Sequence, residues 1–324
     1  MVRVCILVPT HASRSYFERS FVHLSRAAAA LKQAHETLVV AVINGGDPAD
    51  EAAVRDTISA SPVPAEMICV QQKGKNGAIN VGLEFCRRRG FDIVQIVDDD
   101  QIYEPDALVT NVEMLLNLRE QLGLEGLVGS RHIATGGNRS WLGWIASLAF
   151  EGNQEAPRFC IGGSMCAFVS SFPKLPADET GIADDAFVCN FFYVRYRELY
   201  KATGIMPIMF PERSRVYFNV SGKYQEYQRQ QVRIRYGVLA SYRAFPELQD
   251  ELRAYFSWKF HCDDDAQNKP SPIAELGNLV RWWIFRWMRR KANAQAEARL
   301  AAGIKGVPWN TAASTKLAAG AEGR

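Results

Sequence analysis

Residues 91–100 read FDIVQIVDDD, and the first half of the chain is organised around this stretch. Ile93 to Val97 is a short apolar run, rich in β-branched residues and too brief for a helix, which predicts a buried strand. The run ends in three consecutive carboxylates, and the loop beyond a strand's carboxyl end is where open α/β sheets bind ligands. Because three like charges in a crevice are unfavourable without a compensating cation, the triplet indicates a platform for a divalent metal and a diphosphate.

The acidic triplet has a second interpretation. The three acids could simply form a solvated loop. Alternatively, Asp100 could cap the helix that begins near Pro105. The triplet alone leaves both interpretations open. The loops that the other predicted strands contribute favour ligand binding.

Three further strand-like runs precede the acidic strand, and helical patterns separate them. A strand at residues 4–8 is followed by a helix over about residues 15–33, a strand at 38–43 by a helix at 51–59, and a strand at 67–70 by the helix of Ala78 and Phe85. Strands alternating with helices predict a mostly parallel sheet. Its nucleotide-sized loops then meet at one edge.

Two of these loops carry polar and glycine residues. Asn44-Gly45-Gly46-Asp47 ends the second strand and is typical of a tight turn that contacts a ligand, although Asp47-Pro48 equally suits the start of a helix. The loop at residues 73–77, KGKNG, opens the next helix and offers backbone N–H groups and the Lys75 ammonium to phosphate. Its pattern is not that of a P-loop.

Length, charge and cysteine content narrow the possible classes of protein. The 324 residues are 48% hydrophobic and 23% charged, enough for one large α/β domain or two domains. A net charge of +3 is too small to indicate a nucleic-acid partner, and we expect none. Seven cysteines without a C-x-x-C pair indicate reduced, buried thiols. With no signal peptide and no run of apolar residues long enough to span a bilayer, we expect a cytoplasmic protein.

Three blocks of this sequence resemble the amino-terminal half of the family-2-like glycosyltransferases with the GT-A fold. They are VPT at residues 8–10, NGAINVG at 76–82 and VDDDQIYEPD at 97–106, and their order and spacing match the family. The resemblance implies an α/β, GT-A-like fold with a mostly parallel central sheet flanked by helices and a helical C-terminal extension. It also implies that the acidic triplet is the D-x-D motif.

The resemblance assigns roles within these blocks. It implies that Asp98 contacts the ribose or sugar region of a nucleotide sugar, and that Asp100, with Asp98, ligates Mg²⁺ or Mn²⁺ bridging the diphosphate. Such a metal stabilises the charge that develops as the nucleoside diphosphate leaves. The further donor-binding candidates are Pro9, Thr10, Asn44, Asp47, Lys75, Asn80, Asp99, Gly163 and Arg233.

Some positions depart from the family. Asn44 stands where the family often has an aspartate that reads uracil, with Asp47 three residues on, and His11 stands where an aromatic residue is common. We favour a UDP-sugar donor, but these departures leave the base open.

The second half carries the other part of the implied chemistry. CIGGSMCAF at residues 160–168 resembles the glycine–serine segment beneath the donor sugar, and includes Gly163. About twenty residues later, Asp184 and Asp185 lead into a helical pattern; acids at a helix start are common for electrostatic reasons alone. The resemblance implies that Asp185 is the general base of an inverting transfer. Asp184, in place of the family's glutamate, then orients the site or binds the acceptor.

Two later features are candidates for the same site. Gln230 and Arg233 fit the Q-x-x-R-W motif of processive members, with Ile234 in place of the tryptophan. Arg233 is therefore a candidate diphosphate contact, against the alternative of a solvated helix face. His261, followed by three aspartates, is a candidate late metal ligand.

Residues 276–291 predict an amphipathic helix on an anionic membrane surface. An apolar stripe is formed by Leu276, Val280, Trp283, Ile284 and Trp287, while Arg281, Arg286, Arg289 and Arg290 lie largely on the other side. Such a helix brings the protein to the inner face of the membrane and to a lipid-linked acceptor. The alternative is that the stripe packs on the catalytic domain or a dimer partner.

The domain and function predictions follow from these features. We expect a nucleotide-sugar-binding half at residues 1–125, an acceptor half at 126–245, a helical extension at 246–291 and a flexible tail at 292–324. The predicted activity is inverting transfer of a hexosyl or related sugar from a nucleoside-diphosphate sugar to the hydroxyl of a glycan or lipid-linked acceptor.

Two other classes of function stay open. The first is a non-catalytic protein that binds sugar nucleotides. It applies if Asn44, Asp184 and Ile234, which differ from the residues usual in the family, have cost the protein its activity. A nucleotidyltransferase shares the α/β core and the acids, but carries a glycine-rich loop after its first strand. The loop here, PTHASR at residues 9–14, has no glycine.

Overall fold

The structure is a computed structural model that describes most of the chain. The described residues are 1–11, 14–71, 74–135, 141–146, 159–221, 223–260 and 276–304. They belong to two compact units, the first comprising residues 1–132, 159–178 and 188–217, and the second comprising residues 133–158, 179–187 and 218–324. The predicted metal ligand His261 lies outside the described residues.

The strands form two sheets. The strands are β1 (Arg3–Thr10), β2 (Glu36–Asn44), β3 (Ala65–Val70), β4 (Ile93–Val97), β5 (Ile102–Tyr103), β6 (Leu127–Gly129), β7 (Arg131–Thr135), β8 (Ser164–Phe168), β9 (Ile208–Met209) and β10 (Arg215–Asn219). One sheet has the order β3-β2-β1-β4-β8-β6-β9, and the other has the order β5-β10-β7.

Helices connect and flank these strands. They are α1 (Arg14–Ala34), α2 (Pro48–Ser59), α3 (Lys75–Arg89), α4 (Ala107–Leu122), α5 (Trp141–Ala146), α6 (Asp184–Thr203), α7 (Tyr224–Arg243), α8 (Gln249–Phe260) and α9 (Leu276–Ala301). Local sequence sets several of their ends. Asp47 caps α2 and Pro48 occupies its first turn, while α3 ends at Gly90 in the left-handed conformation.

The parallel part of the larger sheet positions the acidic triplet. β1 lies between β2 and β4 and is parallel to both, and β8 then pairs antiparallel with β4. The carboxyl ends of β2, β1 and β4 therefore lie side by side at one end of the sheet, where Thr10 ends the middle strand, between Asn44 and Asp98. This arrangement confirms the predicted α/β fold class and the predicted strand at Ile93–Val97.

Strand alternation builds the core of the first unit. Val4, Ile6 and Val8 of β1 are fully buried in one apolar cluster with side chains of α1 and α4. Leu7 faces the other side of the sheet, where it lies against Gly82 of α3. The period of two along β1 thus covers both faces of the sheet with helices, as expected for a parallel strand.

The second unit has a smaller apolar cluster built from α5, α7 and α9. Its buried members are Leu142, Ile145, Tyr227, Phe285 and Met288. No helix among the described residues has the length and apolar character that a bilayer span requires.

The carboxyl-terminal helix is longer than the sequence analysis predicts. Residues 292–301 were assigned to a flexible tail, but α9 continues through them to Ala301. Ala292 and Ala296 are fully buried. Alanine has the highest helix propensity, so a run rich in small residues extends a helix wherever one face finds a packing surface.

None of the six cysteines that the structure describes forms a disulfide. Five of them are buried, as predicted, whereas Cys69 is exposed.

The packing of α9 is tested by one substitution on each of its faces. Ala296→Glu places a carboxylate at a fully buried position, whereas Ala298→Glu places it at an exposed one. Burial of an unpaired charge is costly, so we expect Ala296→Glu to lower the free energy of unfolding by at least about 2 kcal/mol. Ala298→Glu should change it by less than about 0.5 kcal/mol. Equal denaturation midpoints for the two variants would contradict the packing.

Candidate active site

Asp99 links the acidic triplet to β1 and α1 through hydrogen bonds. The Thr10 hydroxyl donates to Asp99 Oδ2 at 2.5 Å, and the Ser20 hydroxyl of α1 donates to the Asp99 carbonyl. The middle carboxylate therefore joins the end of β1 to the end of β4. Its hydrogen bond to Thr10 makes Asp99 a support for the triplet, and its neighbours Asp98 and Asp100 are held on either side of it.

Asp98 is held by two donors of the chain. Lys75 Nζ lies 2.7 Å from Asp98 Oδ1, and Gln101 Nε2 donates to Asp98 Oδ2 at 3.3 Å. The side chain of Lys75 is 13% exposed and that of Asp98 is 26% exposed, so solvent screens this ion pair only in part. Lys75, the first residue of α3, thus compensates one of the three charges. Sequence analysis had assigned this lysine to phosphate.

The Tyr103 hydroxyl links the backbone of Asp98 to the backbone of Gly163. The Tyr103 hydroxyl donates to the carbonyls of Gly163 at 2.7 Å and Asp98 at 3.2 Å. Burial, reinforced by the neighbouring aspartates, raises the pKa of Tyr103 well above its usual value, so it stays a donor. At Gly163, an added Cβ would lie 1.9 Å from Gln101 Nε2. Any other residue there displaces the amide that holds Asp98.

A network of buried hydroxyls fixes the start of β8 next to Gly163. The Asn111 amide donates to Ser130 Oγ at 3.1 Å and to Ser164 Oγ at 3.2 Å, and the Ser214 hydroxyl donates to Ser130 Oγ at 2.7 Å. All four side chains are buried. Sequence analysis missed them, together with Gln101 and Tyr103. A polar Asn111 on the apolar face of α4 was the available signal.

Asn44 has a structural role in this conformation. Its side chain is 2% exposed, its Nδ2 donates to the Thr10 carbonyl at 3.0 Å, and its Oδ1 accepts from Gly74 N at 3.3 Å. His11 Nδ1 lies 2.9 Å from the Asn44 carbonyl. Asn44 therefore joins the ends of β1 and β2 to the loop before α3, with the buried Pro9 preceding Thr10.

Asp47 begins a helix. Its Oδ1 accepts a hydrogen bond from Asp50 N at 2.8 Å, which is the geometry of an N-cap. The helix-initiation alternative therefore describes what Asp47 does in this structure.

An internal carboxylate occupies the start of α3. Asp178 Oδ1 accepts from Asn76 N at 2.9 Å, and Asp178 Oδ2 accepts from Gly77 N at 2.8 Å. These are the N–H groups that the sequence offers to phosphate, and a helix N-terminus binds carboxylate for the same electrostatic reason. The prediction of a phosphate cradle at this helix start is therefore corrected for these two groups.

Asn80 extends the same attachment. Its Nδ2 donates to the Leu175 carbonyl at 2.9 Å, and its Oδ1 accepts from Leu175 N at 2.8 Å. The Asn76 side chain donates to the Pro176 carbonyl at 3.1 Å. Residues 175–178 are thus bound along α3 by backbone and side-chain hydrogen bonds, and the amide of Asn80 serves this contact.

The oxygen donors beside Asp98 fit a hard divalent cation. Asp100 is exposed, and Gln101 Oε1 is buried beside Asp98 with no hydrogen-bond partner. Carboxylate and amide oxygens are the ligands that Mg²⁺ and Mn²⁺ accept. Among the residues described here, no three His, Cys, Asp or Glu side chains converge on one point. Mg²⁺ bound with a diphosphate takes only one or two carboxylates from the protein.

The predicted base lies in the second unit, at the start of α6. Asp184 is 6% exposed, whereas Asp185 is half-buried and its Oδ1 accepts from Ala186 N at 2.7 Å. Asp185 is therefore the more accessible of the two carboxylates.

Gly237 of α7 packs against Ala183, the residue before α6. Ala183 N donates to the Gly237 carbonyl at 3.4 Å, and an added Cβ on Gly237 would lie 2.8 Å from Ala183 Cβ. Arg233 is half-buried and lies one helical turn before Gly237 on α7. The structure thus brings the predicted Arg233 to the same side of α7 as the contact with α6.

Comparison with known proteins gives the fold. No family model matches the sequence, and the comparison with curated proteins finds no match. The structure is similar to a mannosyltransferase, PcManGT from Pyrobaculum calidifontis in complex with GDP-Man and Mn2+, with a TM-score of 0.62 and 15% identity over 94% of this chain and 88% of that one. S. aureus TarS 1-349 has a TM-score of 0.49 and 12% identity over 93% of this chain and 92% of that one. The first of these shows a shared α/β fold.

The Asp178 contact is tested by its removal. Asp178→Ala leaves the N–H groups of Asn76 and Gly77 without their carboxylate, so we expect a loss of about 2–3 kcal/mol in the free energy of unfolding. Asp47→Ala removes one N-cap bond at an exposed helix start and should cost only about 1 kcal/mol. Urea denaturation of both variants measures the difference. A smaller loss for Asp178→Ala than for Asp47→Ala would contradict the attachment.

Proposed function

We propose that this protein is an inverting, metal-dependent glycosyltransferase that uses a nucleoside-diphosphate sugar. The observation that carries the proposal is the acidic end of β4, where Lys75 holds Asp98 and Asp100 is exposed, at the edge where the ends of β1 and β2 meet. The mannosyltransferase that shares this fold was solved with GDP-Man and Mn2+. The order of the three sequence blocks adds support.

Donor binding is assigned to the first unit. In the proposed complex Asp100 would hold Mg²⁺ or Mn²⁺ together with the diphosphate, and Asp98 and the side-chain Oε1 of Gln101 would be candidate further oxygen ligands. When bound, the cation stabilises the charge on the leaving nucleoside diphosphate. Lys75 has three N–H donors, so it can keep its ion pair with Asp98 and is the candidate donor to a phosphate oxygen. Thr10 and Asp99 keep the loop in place.

Acceptor activation is assigned to Asp185. The acceptor oxygen attacks the anomeric carbon from the side opposite the nucleoside diphosphate, and its proton passes to the Asp185 carboxylate as the bond to the diphosphate breaks. A half-buried carboxylate can reach a bound hydroxyl, whereas the buried Asp184 is better suited to orienting the helix start. Arg233 is the candidate for a further diphosphate contact.

Donor and acceptor identity are narrower proposals. The sequence favours a UDP-sugar, while the structure with the shared fold holds GDP-Man, so both bases belong in the test. We propose a glycan or lipid-linked hydroxyl as the acceptor. The Asn44 side chain is hydrogen-bonded to the backbone of Thr10 and Gly74. We therefore assign recognition of the nucleotide base to other groups of the loop after β2.

Asp100 is the first residue to test. Asp100→Asn removes the exposed carboxylate charge without changing its shape, so the Mn²⁺-dependent affinity for UDP or GDP should fall by at least about tenfold. Isothermal titration calorimetry with and without Mn²⁺ measures it. Asp56→Asn, on the exposed surface of α2, is the matched control for charge and should bind as the wild type does. Unchanged metal-dependent affinity in Asp100→Asn would contradict the assignment.

Asp185 is tested by turnover. General-base catalysis contributes about 10²–10⁴-fold, so Asp185→Asn should lower kcat by that factor and leave donor affinity near that of the wild type. Asp184→Asn should have the smaller effect on kcat. If Asp184→Asn abolishes turnover while Asp185→Asn stays near wild type, the two roles are exchanged. Donor binding without turnover in the wild type would instead indicate the non-catalytic binding protein.

A further inference from the structure

Aromatic and basic side chains share one exposed face of α9. Val280, Trp283 and Trp287 are 50%, 56% and 56% exposed, and Arg290 and Lys291 are also exposed. At about 100° per residue these five positions fall within one side of the helix. Exposed tryptophans at helical spacing are costly in water, so this face indicates a surface that contacts something else.

The opposite face of α9 is packed within the second unit. Trp282, Phe285 and Met288 are buried there, and so are Arg281 and Arg289. Sequence analysis placed Arg281 and Arg289 on the exposed basic side, which the structure corrects. The Arg289 guanidinium lies 5.3 Å from the Phe285 ring centroid, so the arginine packs on an aromatic of its own helix.

α5 enlarges the exposed aromatic surface. Leu142 and Ile145 of α5 are buried, whereas Trp141 and Trp144 are 64% and 37% exposed. Arg281 Nε donates to the Trp144 carbonyl at 2.6 Å, and its guanidinium lies 4.8 Å from the Trp144 ring centroid. The buried arginine therefore ties α5 to α9. We call the exposed side chains of Trp141, Trp144, Val280, Trp283, Trp287, Arg290 and Lys291 the tryptophan surface.

The charged side chains that α5 and residues 276–296 of α9 contribute are all basic. Neither α5 nor residues 276–296 of α9 contain an aspartate or glutamate. The Lys291 ammonium lies 5.3 Å from the Trp287 ring centroid, and Trp287 stacks on Tyr224 with their centroids 6.4 Å apart. Cationic groups thus lie directly beside exposed rings held by their neighbours.

From this arrangement we propose that the tryptophan surface docks on an anionic phospholipid bilayer. Tryptophan prefers the boundary between headgroups and acyl chains, and nearby lysine or arginine gains from anionic headgroups. Both residue types stand on one face here, and neither α5 nor residues 276–296 of α9 add an acid that would oppose the lipid charge. No described helix suits a bilayer span, so the helices lie in the plane of the interface.

This inference goes beyond sugar transfer, because lipid binding by this surface requires no donor, metal or acceptor. Its failure would leave the assignment of Asp98, Asp100 and Asp185 unaffected. If both hold, the surface brings the enzyme to acceptors that are embedded in the membrane.

Co-sedimentation of the full chain with vesicles tests the proposal. At low salt the protein should sediment with vesicles of mixed phosphatidylglycerol and phosphatidylcholine, and not with vesicles of phosphatidylcholine alone. Raised salt should release it, because screening weakens the charge contribution. Absence of binding to the anionic vesicles overturns the proposal.

Two pairs of substitutions separate the contributions. Arg290→Gln with Lys291→Gln should weaken partitioning roughly 30-fold, the effect of two charges near an anionic leaflet. Trp283→Ser with Trp287→Ser should weaken it by at least about tenfold, through lost apolar burial. Circular dichroism confirms that each variant is folded.

Matched controls lie on the first unit. Arg55→Gln with Arg88→Gln removes two exposed charges from α2 and α3, and Val22→Ser with Leu122→Ser removes two apolar side chains that are each 51% exposed. Both controls should bind vesicles as the wild type does. If controls and surface variants lose binding equally, the attraction is non-specific and the proposal fails. It also fails if Trp283→Ser with Trp287→Ser converts a dimer into a monomer without changing vesicle binding, since the surface then serves a second copy.

Discussion

The ion pair between Lys75 and Asp98 is the interaction on which the candidate site depends. Three adjacent carboxylates at the end of a buried strand repel one another, and the lysine that opens α3 compensates the first of them. Thr10 holds the second through a hydrogen bond to Asp99, and the third, Asp100, is exposed. In the proposed complex, a divalent cation that also binds the diphosphate would offset the repulsion among these carboxylates.

This arrangement requires the start of α3 to be held in place, and contacts distant in sequence hold it. Asp178 binds the N-terminus of α3, and Asn80 binds the backbone at Leu175. The bridge of Asn44 to Thr10 and Gly74 then secures the same helix start from the side of β2. Residues that resemble ligand contacts in the sequence therefore serve as supports for those that remain accessible.

The sequence predicts well whatever depends on local pattern. The strand at Ile93–Val97 and the alternation of strands and helices follow from residue periodicity, and the structure confirms both. Partners far apart in the sequence could not be predicted, because no local pattern indicates that Asp178 reaches Asn76. The two sides of α9 were separated only in part. Arg290 was predicted opposite Trp283 and Trp287 but shares their exposed face, and Arg281 and Arg289 are buried because the long side chain of arginine can pack on apolar and aromatic groups. Ala292 and Ala296 show the same limit, since composition alone indicated a tail.

Above all, we propose that the carboxyl ends of β1, β2 and β4 bind a nucleoside diphosphate together with a metal. Thermal unfolding of the wild-type protein across a panel of nucleoside diphosphates and nucleotide sugars, with and without Mn²⁺, tests it most directly. A ligand at about one hundred times its Kd stabilises the folded state by about 2.7 kcal/mol. We predict a rise in Tm for UDP or GDP and its sugars only when Mn²⁺ or Mg²⁺ is present. A panel in which no nucleotide raises Tm, or in which the rise is the same without metal, would contradict the claim.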